Sequence, residues 1–376
     1  MQSTPANLPG DVHHRFELSV IVPTFNEREN IEELIVRLEQ VLKGRDWEVI
    51  FVDDDSPDDT ADLIREIAEH NKRVRCIHRI GRRGLSSASI EGMLSSSATY
   101  VAIIDADMQH DEKLLSTMLD VLGKEELDIV SGSRYMKGGS LGEWAQSRAG
   151  ISKVATWLSK VVSRAKLTDP MSGFFMIRRQ VFEDLAPQLS GIGFKILLDI
   201  FASSSKPLRY RELPYQFRCR QAGVSKLDGM AAWEYILLLL DKSIGRFIPV
   251  RFISFALIGA LGVAVHLLIV DLLFKGFGKD FTSSQSIATF VAITSNYTMN
   301  NLITYRDKRL HGWHWLRGWA SFALICSIGA LANVGIASFL FFEHVTWVLA
   351  SVSGILVGAV WNYSVSATYT WNKPSA

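Results

Sequence analysis

Along the first two hundred positions the apolar residues gather in short continuous runs that end in polar ones. Leu18–Glu27, Trp47–Ser56, Val74–His78 and 100–107 all follow this pattern. A run of that length, bounded by turn residues, predicts a strand covered on both faces. Between the runs the period changes to that of a helix. Ile31, Leu34, Ile35, Leu38 and Leu42 keep helical spacing from about Asn30, and Leu63, Ile64 and Ile67 keep it after Pro57 and Asp58. A third helix is predicted over Gly84–Ser96. The order β-α-β-α-β-α-β predicts an α/β fold with a parallel sheet, helices on both faces and ligands beyond the strands' carboxyl ends.

After Arg251 the pattern is different. Four apolar stretches, roughly 250–274, 284–305, 318–342 and 347–370, approach the ~20 residues that cross a bilayer. The second is interrupted by Asn296, Asn300 and Asn301. The connection from Tyr305 to Gly318 carries Arg306, Lys308, Arg309 and Arg317, whereas Glu343–Thr346 has neither Lys nor Arg. By the positive-inside tendency the basic connection is cytoplasmic, and with four spans so are both termini. His266, Asp271, Asn296, Asn300, Asn301 and Asn333 are polar positions within these stretches, read either as a path for a polar ligand or as glue between helices.

Two segments upstream are amphipathic. From Ile151 to Lys166 an apolar stripe of Ile151, Val154, Ala155, Leu158, Val161 and Val162 is flanked by Lys153, Lys160, Arg164 and Lys166. From Trp233 to Phe247, Trp233, Tyr235 and Ile236 precede Asp241, Lys242 and Arg246. Such helices lie in the headgroup plane or pack as ordinary core. The expected organisation is a flexible tail over 1–16, a catalytic domain over 17–230, an interfacial helix over 231–248 and a helical membrane domain over 249–376.

Composition narrows the partners. The 40 basic and 39 acidic residues nearly cancel over 376 positions, so no nucleic-acid-binding surface is implied. Cys76, Cys219 and Cys326 are scattered, without zinc spacing or a disulfide framework, and fit a reducing compartment. The first fifteen residues hold prolines, His13 and His14 but no apolar core, and no signal peptide is expected.

The chemistry concentrates at Asp105-Ala106-Asp107-Met108-Gln109. Two carboxylates two residues apart at a strand's end can share a hard cation that also grips a diphosphate. The same residues could simply end the strand and cap the next helix. Asp53–Asp59 carries the same ambiguity, because Asp54 can serve a ligand while Ser56 or Asp58 caps a helix.

Seven motifs tip the balance. Pro23-Thr-Phe-Asn-Glu27, Val52-Asp-Asp-Asp-Ser-Pro-Asp58, Gly84-Leu-Ser-Ser-Ala88, Asp105-Ala-Asp-Met-Gln-His110, Gly132-Ser-Arg134, Asp169-Pro-Met-Ser-Gly-Phe-Phe175 and Arg220-Gln-Ala-Gly-Val-Ser-Lys226 occur in this order. Together they resemble the polyprenyl-phosphate (dolichol-phosphate) mannose synthases, inverting family 2 glycosyltransferases of GT-A fold. The resemblance runs from about Leu18 to Leu227, and the helical half resembles a four-span GtrA-like membrane domain. Phe25 stands where Tyr is usual, and Asp111 where Pro usually follows Gln-His.

The resemblance implies a site. Asp105, Asp107 and Gln109 would hold Mg2+ or Mn2+, and Pro23, Phe25, Glu27, Val52 and Asp54 would cradle base and ribose, with Ala106 beside them. Arg134 and Arg148 would hold an acceptor phosphate, Arg220 and Lys226 the donor diphosphate, and Lys195 the sugar or a phosphate nearby. Asp107, Arg134 and Arg148 are thus the expected catalytic residues. No general base stands out. A phosphate monoester needs none, because its second pKa near ~6 leaves it mostly a dianion at neutral pH. The expectation is transfer of mannose from GDP-mannose to a polyprenyl or dolichyl phosphate held by membrane lipids. UDP-glucose as donor, or a non-catalytic lipid-sugar transport or scaffold protein, are the alternatives.

Overall fold

The computed structural model describes residues 16–82, 84–140, 165–191, 193, 195–218, 229–245 and 248–371. The chain divides into two compact units, Met1–Ile244 and Gly245–Ala376. The amphipathic stripe from Ile151 to Val162, together with Arg148, Arg220 and Lys226, lies outside the described residues.

In the first unit the predicted runs become strands β1 (Leu18–Thr24), β2 (Trp47–Asp53), β3 (Val74–His78) and β4 (Tyr100–Ile103). They alternate with α1 (Ile31–Val41), α2 (Thr60–His70) and α3 (Leu85–Leu94). Beyond them come α4 (Leu114–Lys124), β5 (Ile129–Ser133), β6 (Phe175–Arg178), α5 (Arg179–Leu185), α6 (Ile196–Ser203), β7 (Tyr210–Pro214) and α7 (Gly229–Ile244).

The seven strands form one sheet in the order β3-β2-β1-β4-β6-β5-β7. The expected parallel arrangement holds for β3, β2, β1 and β4, but β6 runs antiparallel to both β4 and β5. The sheet is therefore mixed. Pairing of Ile103 with Phe175 brings the start of β6 to the edge where β4 ends, so the Asp169–Phe174 turn meets the Asp105 loop.

Burial explains why the strands read as unbroken apolar runs. Leu18, Val20, Val22, Val49 and Phe51 face α1 and α4 through Ile31, Leu34, Leu38, Met118 and Leu119. Ile21, Ile50, Val52, Val101 and Ile103 face the other way, onto Ala88, Met93, Ile196, Leu197 and Ile200. Each strand thus needs apolar residues at both parities. Helix α3 lies so close to the sheet that a Cβ at Gly92 would stand 2.4 Å from Ile21 Cγ2.

Helix α7 packs partly inward. Tyr235, Leu238 and Leu239 are buried with Leu198, while Ile236 stays exposed. Lys242 Nζ reaches 2.6 Å from Asp199 Oδ1, and Asp199 also accepts from Ser190 N, Ser190 Oγ and Ser203 Oγ. At this helix the core reading holds for one face.

The second unit comprises α8 (Val250–Asp271), α9 (Phe281–Met299), α10 (Gly312–Phe342) and α11 (Trp347–Val365). Helices α8, α9 and α11 each continue into a π-helical turn, at Leu272–Gly276, Asn300–Thr304 and Ser366–Thr370. Among the described residues three helical segments, Val250–Gly276, Gly312–Phe342 and Trp347–Thr370, are long and apolar enough to cross a membrane. Helix α9, rich in Ser and Thr, falls short of that composition, at the stretch where the sequence was interrupted.

Removing one partner of the Asp199–Lys242 pair leaves a buried charge without compensation. Lys242→Ala should therefore cost on the order of 3 kcal/mol, seen as a lower thermal unfolding midpoint in detergent. Ile236→Ala, on the exposed face, should stay within about 0.5 kcal/mol of the parent.

Candidate active site

The polar rim begins where β1, β2 and β4 leave the sheet. Thr24 pairs with Asp53 and Ile21 with Ile103, so the loops after these strands emerge side by side. Four non-glycine residues there, Asn26, Asp55, Asp59 and Met108, take left-handed backbone conformations with φ between 55° and 61°. Such residues persist only where surrounding contacts hold them, and they gather at functional sites.

Contacts along the rim hold these turns. Asp53 accepts from Thr24 Oγ1, Ser56 N and Ser56 Oγ, and Ser56 Oγ in turn accepts from Asn26 N. Asp58 accepts from Thr60 N and Thr60 Oγ1, so it caps the first turn of α2, while Ser56 ties the loops together instead.

Asp54 is buried and doubly engaged. Arg79 Nη1 donates to Oδ1 at 2.6 Å, and the Gly84 amide donates to Oδ2 at 2.6 Å. Burial raises its pKa, and the Gly84 amide and Arg79 pull against that rise. Gly84 adopts φ 146°, beyond most side-chain-bearing residues, which suits the approach of its amide to Asp54. Sequence reasoning missed Arg79, which also donates to Ser87 Oγ and Gly84 O. A basic residue between the acidic end of β2 and a glycine-led helix was the signal.

Pro23 and Val52 are buried, and the Val52 side chain lies in the sheet core, so any ligand contact from Val52 is through its backbone. Phe25 and Glu27 are half-buried at the rim, where Glu27 Oε2 accepts from Asn30 Nδ2.

The Asp105–Gln109 loop turns tightly. Asp107 Oδ1 accepts from Gln109 N at 3.1 Å, and Gln109 Nε2 donates to Arg218 O at 3.2 Å, so a cation would meet the amide oxygen. Ala106 and Asp107 are buried, while the Asp105 side chain is 37% exposed. His110, unassigned by the sequence reading, is buried behind this loop. Its Nδ1 accepts from Asp105 N at 3.2 Å, its Nε2 lies 3.7 Å from Asp105 Oδ2, and its ring stacks on Phe174.

Two cations, Arg134 and Lys195, share the rim with Asp105. Arg134 leaves the end of β5 and meets the fully buried Asp169 through Nε–Oδ2 at 2.7 Å and Nη2–Oδ1 at 2.9 Å. This pairing holds its pKa well above the ordinary value despite burial. One edge of the planar fork is thereby committed to Asp169, so a phosphate would meet the guanidinium from its remaining edge. Lys195 Nζ donates to Met171 O at 3.1 Å, and burial followed by repulsion from Arg134 lowers its pKa to about 8. Arg134, Asp169 and Asp105 all act on Lys195 and on Tyr215, whose hydroxyl pKa burial raises.

Asp105, Gln109, Arg134 and Lys195 are thus gathered beyond the sheet's carboxyl edge, with Asp54 along the same rim. Two carboxylates and an amide oxygen make a hard-oxygen donor set that fits Mg2+ or Mn2+. Among the described residues no three His, Cys, Asp or Glu side chains converge as a metal cluster. A cation here would draw its remaining ligands from substrate oxygens or water.

The depressed pKa of Lys195 has a stability consequence. Between pH 8 and the unfolded lysine range the unfolded chain binds the proton more tightly, so stability contributed at this site rises with pH. Lys195→Met should abolish that rise, read as a flatter thermal midpoint from pH 8 to 10 than in the parent.

Comparison with known proteins identifies the family. Residues 19–186 match Glycosyl transferase family 2, and residues 254–371 match GtrA/DPMS, transmembrane domain. A dolichol-phosphate mannosyltransferase of Pyrococcus furiosus is 33% identical over 363 residues, covering 94% of this chain and 99% of that one. The dolichol-phosphate mannosyltransferase of Saccharomyces cerevisiae is 32% identical, covering 61% of this chain and 88% of its own. Among solved structures, glucosyl-3-phosphoglycerate synthase from Mycobacterium tuberculosis superposes with a TM-score of 0.45 at 21% identity, covering 60% of this chain and 78% of that one. With a GT-A-like mixed-sheet unit, a helical membrane unit and a full-length relative at this identity, the chain is a glycosyltransferase of the dolichol-phosphate mannosyltransferase family.

Proposed function

We propose that this protein transfers mannose from GDP-mannose to a polyprenyl or dolichyl phosphate, with inversion, at the cytoplasmic face of a membrane. The observation that carries this reading is the end-to-end relationship with the dolichol-phosphate mannosyltransferase of P. furiosus, which spans both units. The rim geometry supports it, because Arg134 and Lys195 gather near Asp105 and no base is needed for a phosphate nucleophile.

In this reading Asp105, Asp107 and Gln109 hold a Mg2+ or Mn2+ ion. When bound, the ion neutralises the charge that develops on the departing diphosphate. Phe25, Glu27, Asp54 and the backbone at Pro23, Val52 and Ala106 receive the nucleoside. Arg134 orients the acceptor phosphate with the edge that Asp169 leaves open, and Arg148, Arg220 and Lys226 add further cations around the two anions. Lys195, whose pKa burial lowers to about 8, stays mostly protonated at neutral pH and meets an anion as a cation below that value. Attack from the side opposite the leaving group turns an α-linked donor into a β-linked product. Four spans carry the membrane unit, with both termini cytoplasmic, as the basic connection Arg306–Arg317 supports.

The experiment is transfer of radiolabelled mannose from GDP-mannose into the organic phase with dolichyl phosphate as acceptor. The proposal expects a β-linked lipid monosaccharide, and transfer from UDP-glucose in its place overturns the donor assignment. Asp107→Asn should lower transfer by at least about a hundredfold with an unchanged thermal midpoint. Arg148→Ala should raise the apparent KM for the lipid phosphate but not for GDP-mannose. A chain ending at Ile244 should still bind nucleotide and transfer slowly to a short, detergent-soluble prenyl phosphate. Complete loss with the short acceptor in a folded truncated chain would mean that the helical unit builds part of the site.

A further inference from the structure

We propose that the membrane unit is a tandem copy of one helical hairpin, α8–α9 followed by α10–α11, packed about a pseudo-two-fold axis. In sequence, Ser254-Phe-Ala-Leu-Ile258 recurs as Ser321-Phe-Ala-Leu-Ile325, and Gly262, Ile269, Leu273 and Phe274 recur as Gly329, Ile336, Leu340 and Phe341. The second helices match with the offset reduced by one, because the segment from Phe341 to Asn362 is one residue shorter than that from Phe274 to Asn296. There Asn296-Tyr297 recurs as Asn362-Tyr363, Thr304 as Thr370, and Tyr305 as Trp371.

The structure repeats the contacts as well as the letters. Inside each hairpin the first serine bonds the last threonine, Ser254 Oγ to Thr304 Oγ1 at 2.9 Å and Ser321 Oγ to Thr370 Oγ1 at 3.1 Å. A Cβ at Gly262 would stand 2.1 Å from Asn296 Oδ1, and one at Gly329 would stand 2.1 Å from Asn362 Oδ1. Each second helix ends in a π turn, closed by Tyr305 N to Asn300 O and by Trp371 N to Ser366 O.

Contacts between the hairpins are reciprocal, as two-fold packing requires. Phe255 meets Tyr363 with ring centroids 5.7 Å apart, and the exchanged pair, Phe322 and Tyr297, is also 5.7 Å apart. Counterparts meet each other too. Phe255 lies 6.3 Å from Phe322, and Tyr305 stacks on Trp371 at 4.0 Å with planes 6° apart.

The copies differ at one of these positions. Asn301 bonds the backbone N and O of Leu310, fastening the linker between hairpins, whereas its counterpart is Ala367, whose methyl group makes no such bond. The repeat also gives α9 a place despite its polar composition. It occupies the place of α11, which passes, so α9 crosses as well. Two crossings per copy start both hairpins on one side of the membrane.

The test uses the full chain with Cys76, Cys219 and Cys326 replaced by Ser. Single cysteines at Lys279, Lys308 and His344 are probed in sealed vesicles of known orientation with a membrane-impermeant maleimide, with detergent-opened vesicles as the control. The duplication expects Lys279→Cys and His344→Cys to label from one side and Lys308→Cys from the other. Labelling of Lys279→Cys and Lys308→Cys from the same side overturns it. Cysteine pairs replacing Phe255 with Tyr363, and Tyr297 with Phe322, should cross-link alike with a short bifunctional maleimide. Cross-linking of one pair alone overturns the pseudo-two-fold packing.

Independently, we infer that Arg218 is a positioning residue for the Asp105–Gln109 loop, an inference that rests on the cation site proposed above. Its guanidinium spans Asp111 Oδ1 and Glu112 Oε2, each at 2.6 Å. Its own amide donates to Gln109 O at 2.9 Å, and its carbonyl accepts from Gln109 Nε2. These four bonds hold three residues at the end of the loop, Gln109, Asp111 and Glu112, to one side chain and its backbone.

If so, Arg218→Gln should weaken Mn2+ binding, measured by electron paramagnetic resonance without turnover, by about tenfold. Asp111→Asn should do the same in part, and the double variant should be no worse than Arg218→Gln, with the thermal midpoint and the KM for lipid phosphate unchanged. Unaltered Mn2+ binding in Arg218→Gln, or additive losses in the double variant, overturns the inference.

Discussion

Asp169 has no exposed surface, and a carboxylate driven that far from water must be met by donors or a charge. Arg134 meets it with two side-chain bonds and its own backbone amide. Glu212 accepts the amides of Thr168 and Asp169 from the other side, which fixes the turn that opens β6. That turn brings Gly173 within 3.7 Å of Asp105, measured from where a Cβ would be, and sets Phe174 under His110. The ends of β4, β5 and β6 thus depend on one satisfied buried charge, and the polar rim is organised around it.

A second buried pair does the same for the opposite half of the rim. Arg79 and Asp54 are both nearly excluded from water, and Arg79 extends the network to Gly84 and Ser87. The start of α3 is thereby fastened to the end of β2. Each pair couples a strand end to the segment that follows it, so the rim is held before any ligand arrives. Preorganisation of this kind lets binding energy act on the reaction rather than on ordering loops.

The helical unit uses another principle. In place of buried charges it uses glycine notches that admit an asparagine from the neighbouring helix, together with an aromatic cluster of Phe255, Tyr297, Tyr305, Phe322 and Trp371. Large apolar side chains such as Leu268, Leu331 and Phe342 point outward, as expected where the surrounding solvent is lipid. A shared hairpin design gives both helix pairs the same way of closing. The polar positions that the sequence left open, Asn296 and Asn301 among them, act here as helix-to-helix and helix-to-linker contacts.

The sequence by itself determined the strands β1 to β4, the helices between them, the acidic strand ends and the division into two halves. Those features depend on local periodicity and on motifs of a few residues, which a single stretch of chain displays. It did not determine that β6 runs antiparallel, because strand direction depends on where a distant segment docks. Nor did it reveal Asp169 as the anchor of Arg134, Arg79 as the partner of Asp54, or Arg218 as the clamp on Asp111. Each of these is a pairing between residues 25 to 107 positions apart. Only tertiary structure decides which buried charge meets which, because desolvation is imposed by the packed neighbours and not by the adjacent sequence.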